Sequence, residues 1–246
     1  MDFLHHLLFG VYPYVGLAVF FLGSWIRYDR EQYTWRSYSS QMVQPRWLLW
    51  GSNLFHIGIL FLFFGHFLGL LIPPAVYHAI GLSTPGKQVL AMITGGIAGV
   101  TCLIGLSMLL YRRWTEPRVL ANTGPMDKGI LILLASILVL GLLGIVASLQ
   151  HLEGEVMVRW AEWARGIWTV RPDAAALIHD TPWIYKLHVL AGMTLFLLFP
   201  FSRLVHVWSG FAVVSYFMRS YQMVRRRGNV ARAPGATEAD RGRQRS

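Results

Sequence analysis

Residues 52–70 read SNLFHIGILFLFFGHFLGL. The stretch is apolar almost throughout, yet it keeps two histidines, His56 and His66, ten positions apart. Nineteen such residues belong to a helix long enough to cross a hydrocarbon core, which takes about 20 residues at ~1.5 Å each. Every backbone polar group is satisfied inside such a helix, but each imidazole still needs a partner. The fold and the function both turn on what those partners are.

The rest of the chain repeats the pattern. Of 246 residues, 54% are hydrophobic and 14% charged, and the charges fall in short clusters between long apolar runs, as in a helical membrane protein rather than a soluble domain. Runs of spanning length lie near 4–26, 47–72, 87–111, 128–150 and 183–208, which predicts an all-α integral membrane bundle of five transmembrane helices. The first run lacks a basic leader and a small-residue cleavage pattern, so it is expected to be a retained helix. One membrane domain over 1–224 accounts for the chain, followed by a basic, polar and disordered tail over 225–246.

Basic residues set the expected orientation. On one side fall Arg27, Arg30, Arg36 and Arg46, then Arg112, Arg113, Arg118 and Lys128, and then Arg203, Arg219, Arg225, Arg226, Arg227, Arg232, Arg241, Arg243 and Arg245. Only Lys87, Arg159, Arg165, Arg171 and Lys186 fall on the other. The N-terminus is therefore expected in the periplasm and the C-terminus in the cytoplasm. The formal charge of +10 is then mostly a cytoplasmic-face charge suited to anionic lipid or an acidic partner protein, with no need of nucleic acid.

A lone cysteine, Cys102, excludes an internal disulfide, a cysteine-ligated cluster and covalent haem attachment, and reads as a small buried hydrophobe. Gly95, Gly96, Gly99 and Gly105 suit close helix packing in the third run. Gly58, Gly65 and Gly69 flank the two histidines and suggest room for a flat cofactor. Between Gln150 and Pro182, the stripe Trp160, Trp163, Ala164, Ile167 and Trp168 predicts a short amphipathic helix in the outer interface, with its tryptophans at headgroup depth.

Ionisable residues inside membrane helices are costly and mark function, although a single histidine also serves as a helix-to-helix hydrogen bonder. Four lie within spans: His56 and His66 on the second, His188 and His206 on the fifth. These helices run antiparallel, so His56 shares a depth with His206 and His66 shares one with His188. At ~1.5 Å per residue the two axial separations, about 15 Å and about 27 Å, disagree for ideal helices. Two imidazoles are too few for zinc, which wants four ligands or three plus water. They are a full axial set for a haem iron, and with both axial positions taken the haem transfers electrons instead of activating a substrate. The expectation is two non-covalent b haems, one held by His56 and His206 and the other by His66 and His188.

At these residues the sequence resembles the gamma subunit, the cytochrome b membrane anchor, of respiratory membrane-bound nitrate reductases. The resemblance is carried by GSWIRYDREQYTWRSYSSQM, SNLFHIGIL, FGHFLG, YRRW followed by PRV, and KLHVLAGMTLFLLFPFSRLVHVW. It implies a diheme quinol dehydrogenase of the bacterial cytoplasmic (inner) membrane, with the proximal haem on His56 and His206 and the distal haem on His66 and His188. Menaquinol or ubiquinol would be oxidised near the distal haem, where the resemblance places Lys87 with Gly65 nearby. Without the resemblance, Lys87 reads more readily as a snorkelling residue at a helix end. The implied partners are an iron–sulfur beta subunit and a molybdenum alpha subunit on the cytoplasmic face, with a dimer of such heterotrimers a further possibility. Arg203 is expected to pair with a haem propionate or to anchor the inner face. The stretch after Trp208 departs from the family by lacking a proline and adding a polar extension.

Three rival readings are open to test. A cytochrome b anchor of a sulfur or heterodisulfide reductase would co-purify with a different terminal subunit. A histidine-lined channel or transporter would hold no stoichiometric haem. A purely structural anchor would transfer electrons unchanged after histidine replacement.

Overall fold

In a computed structural model, residues 3–31, 46–121 and 123–208 are described. The 225–246 tail and most of the first connection, Arg36 included, lie outside them. The described residues are all-helical, with five helices long and apolar enough to cross a membrane. The first runs through Phe3–His6, a π turn at Leu7–Val11 and Tyr12–Glu31. The second is Arg46–Leu71, the third Thr84–Thr115, the fourth Pro125–Ser148 and the fifth Trp183–Leu198. A surface helix, Glu155–Trp168, and a 3₁₀ turn, Ala174–Ile178, join the fourth to the fifth.

Packed neighbours follow the order second, third, fourth, fifth, first. Glycines bring the backbones together. A Cβ on Gly58 would lie 2.6 Å from that of Cys102, and one on Gly105 would lie 2.8 Å from the Gly51 carbonyl oxygen and overlap the Phe55 backbone. Gly99 faces the fourth helix, where an added Cβ would lie 2.9 Å from a Leu142 methyl. Cys102 and Leu106 are fully buried at this contact with Ile130, Leu134 and Leu138. Gly58 therefore serves helix packing, whereas sequence alone grouped it with Gly65 and Gly69 beside the histidines.

The π turn in the first helix has a sequence cause. Pro13 has no N–H to give to the Phe9 carbonyl, and the indole Nε1 of Trp163 donates to it instead, at 2.9 Å. This bond ties the surface helix to the bundle. Trp160, Trp163, Ala164 and Ile167 are buried against Phe9, Ala174, Ala175 and Ile178, while Trp168 is exposed. The expected amphipathic helix is present, and four of the five residues of its apolar stripe pack on the protein. The helix ends with Val170 at φ 57° and a bond from the Arg171 N–H to the Gly166 carbonyl, a Schellman-type close. Just beyond, Arg171 pairs with Asp173 at 2.7 Å, which holds that carboxyl below its usual range.

The fifth helix is shorter than its apolar run. Pro200 cannot donate to the Phe196 carbonyl, and the Phe199 N–H takes that acceptor instead. The chain then passes through 3₁₀ turns at Phe199–Phe201 and Arg203–Val205, with Ser202 between them in extended backbone. His206 is presented by this irregular segment. The eighteen-residue helical path from His188 to His206 does not exist, so the 27 Å expected of an ideal helix does not apply.

Candidate haem sites

The bundle brings His56, His66, His188 and His206 together in two pairs. The His66 and His188 rings lie 5.9 Å apart between centroids, inclined by 28°. The His56 and His206 rings lie 6.3 Å apart, inclined by 73°. In both pairs one ring comes from the second helix and the other from the fifth helix or its irregular extension.

Each ring is oriented by a backbone carbonyl. His56 Nδ1 lies 2.7 Å from the Ser52 oxygen, and His66 Nδ1 lies 2.7 Å from the Leu62 oxygen, each one turn earlier in the same helix. His206 Nδ1 lies 2.6 Å from the Arg203 oxygen. His188 reaches across to the fourth helix, with Nδ1 3.1 Å from the Ile137 oxygen, because Gly141 has no side chain to fill that space. A carbonyl only accepts, so each neutral ring carries its proton on Nδ1 and its lone pair on Nε2. That is the tautomer of a metal-ligating histidine held by an outer partner.

The same assignment tells against histidine acting as polar glue. A bond between paired rings would need one Nε2–H, and the carbonyls have already fixed the proton on Nδ1. Two imidazoles bound to opposite sides of one metal at about 2 Å each place their centroids roughly 6 Å apart, as found in both pairs. Among the described residues no group of three or more histidine, cysteine or acidic side chains could hold a metal ion. Each pair therefore suits an ion whose remaining ligands are its own, as in a porphyrin. A Cβ at Gly65, Gly69 or Gly192 meets nothing within 4 Å. The helix faces beside His66 and His188 thus leave room for a flat ring, and the residues fit a b haem.

Lys87 stands in the first turn of the third helix. Its Nζ donates to the Gly69 carbonyl at 3.0 Å and lies 4.2 Å from the centre of the Tyr77 ring. Gly65 is one turn before Gly69 on the second helix. Arg165 of the surface helix donates to the neighbouring Leu70 carbonyl at 3.3 Å. Two cations thus reach the end of the second helix, on the His66 side. Sequence reasoning singled out Lys87 and placed Arg165 only off the tryptophan stripe, a position that gave no sign of this reach.

Arg203 pairs with Asp127 at 2.8 Å, and Asp127 also accepts from the Gly124 N–H at 3.1 Å. This joins the start of the fourth helix to the segment carrying His206. Arg27 donates to the carbonyls of Pro200, at 2.6 Å, and Ser202, at 2.8 Å. Neither Asp127 nor Arg27's carbonyl partners were foreseen, because both contacts depend on the break in the fifth helix.

The family model described as the nitrate reductase gamma subunit matches residues 5–227. The chain belongs to the nitrate reductase gamma subunit family. It is 49% identical to the respiratory nitrate reductase 1 gamma chain of Escherichia coli over 227 residues, covering 92% of this chain and 100% of that one. Identity to the respiratory nitrate reductase 2 gamma chain of the same organism is 47%, covering 92% and 99%. The nitrate reductase gamma chain of Bacillus subtilis is 34% identical, covering 90% of this chain and 98% of its own length.

Proposed function

We propose that the chain is the diheme cytochrome b subunit of a membrane-bound nitrate reductase, oxidising quinol near the periplasmic face and delivering electrons inward. The observation that carries this reading is the pair of imidazole pairs, each spaced for one iron and each ring held by its Nδ1–H. His66 and His188 hold the distal haem, and His56 and His206 the proximal one. When bound, the haems supply reversible one-electron transfer across the bilayer.

The protein's own part is to ligate and orient. Carbonyls of Ser52, Leu62, Ile137 and Arg203 fix the imidazole tautomers and ring planes. His56 and His66 are exposed on a membrane-spanning helix, where surrounding lipid rather than protein keeps water away. Lys87 offers its ammonium to a quinol oxygen beside Gly65, while its bond to Gly69 holds the long side chain in place. Protons leave on the periplasmic side and electrons on the cytoplasmic side, so turnover adds to the proton-motive force. The basic face favours cytoplasmic partners, an iron–sulfur beta subunit and a molybdenum alpha subunit that reduces nitrate, in keeping with the names of the similar gamma chains. Its five apolar spans and the basic bias of its loops suit the bacterial cytoplasmic membrane as its location.

The test is electron delivery in membranes holding the whole complex. Added menaquinol or ubiquinol analogues should reduce the b haems, and nitrate should reoxidise them. Haem reduced by quinol but not reoxidised by nitrate would transfer the chain to another terminal reductase.

A further inference from the structure

The break in the fifth helix has a support of its own. Unwinding after Leu198 leaves the Pro200 carbonyl without a helical donor and makes Ser202 the cap of the next 3₁₀ turn; both residues are buried, where an unmatched carbonyl is costly. One guanidinium nitrogen, Nη1 of Arg27, donates to both. The same face of the first helix makes two further contacts. Gly23 admits the Pro200 ring, whose Cγ would lie 2.9 Å from an added Cβ. Ser24 Oγ accepts from the Trp208 indole at 3.3 Å. The segment from Pro200 to Trp208 is thus gripped on both sides of His206.

We infer that Arg27 is a positioning residue for His206, fixing the irregular turn that aims this ligand and so setting the axial geometry of one haem and not the other. The inference rests on the diheme reading. His206 takes its own Nδ1 partner from Arg203 within this segment, so a displaced turn moves the ring and its orienting carbonyl together. His56 and His66 lie in an unbroken helix, and His188 in the regular part of the fifth. None of these three depends on the clamp. Arginine suits the role because the planar guanidinium holds the two N–H bonds of Nη1 in fixed directions, one to each carbonyl, whereas a lysine ammonium is a point charge on a flexible stem.

The experiment compares wild-type complex with Arg27→Gln and Arg27→Lys, measuring haem per chain, low-spin electron paramagnetic resonance signals and the midpoint potential of each haem. His56→Ala and His66→Ala identify which signal belongs to which pair. The expected result is a shifted or missing signal for the His56/His206 haem, smaller in Arg27→Lys than in Arg27→Gln, with the His66/His188 haem unaltered. Both haems unchanged, or both lost in equal measure, would overturn the inference. A wild-type complex without haem would instead overturn the diheme reading itself.

Discussion

The His188 imidazole rests against Gly141 of the fourth helix, where an added Cβ would lie 3.0 Å from its Cε1 and 3.4 Å from its Nδ1. This contact brings the ring within reach of the Ile137 carbonyl. Gly141→Ala is expected to push the ring by a few tenths of an ångström and shift the spectrum of the His66/His188 haem while retaining it. Gly141→Leu is expected to expel that haem alone. Haem content and the low-temperature spectrum of the two variants check both outcomes.

Close approach of the second and third helices depends on Gly105. A Cβ there meets the backbone of Gly51 and Phe55, which cannot rotate aside as a side chain can. Gly105→Val should cost about 1–3 kcal/mol or more, seen as a lower melting temperature and lower yield. Gly129→Ala is the matching control, since a Cβ there meets nothing within 4 Å and should be neutral or stabilising.

Trp163→Phe keeps most of the buried surface and removes the donor to the Phe9 carbonyl that Pro13 leaves open. The expected loss is about 1–3 kcal/mol, the cost of a buried acceptor left unmatched. Thermal unfolding of the purified protein measures it. Restoring the N–H by Pro13→Ala in the same chain should recover part of the loss.

Val170 is β-branched and holds a left-handed conformation at the end of the surface helix. That conformation costs a non-glycine residue roughly 1–2 kcal/mol. Val170→Gly relieves the strain but frees the unfolded chain, for a net gain of about 0.5–1 kcal/mol. A raised melting temperature is the expected reading.

Lys87→Met removes the ammonium while keeping much of the side chain's bulk. Quinol-dependent turnover should fall at least tenfold, about 1.4 kcal/mol in the barrier, while dithionite still reduces both haems fully. Unchanged quinol kinetics would return Lys87 to a plain interfacial anchor.

Much of this arrangement was legible in the sequence. Run length alone marked five spans, and antiparallel order alone paired His56 with His206 and His66 with His188. The surface helix was readable from tryptophan spacing, but its facing was not, because an amphipathic stripe looks the same against lipid and against protein. Glycines were ambiguous for a similar reason. Gly58 packs on Cys102 and Gly65 faces open space, and only the neighbouring helix distinguishes them. Pro200 was passed over in the sequence, where the fifth run was expected to stay helical over 183–208, and the break after Leu198 came only with the structure. The Pro200 and Ser202 carbonyls meet Arg27 from a helix more than 170 positions away, and Arg203 meets Asp127 where sequence offered only a propionate or an anchor.

The central claim is that each imidazole pair holds one haem, and counting haem per chain tests it most directly. Purified wild-type complex should contain two b haems per gamma chain, both low-spin. His66→Ala and His56→Ala should each contain one, and the two variants should lack different spectral components. A wild-type chain with no haem, or one whose haem content is untouched by either substitution, would contradict the account.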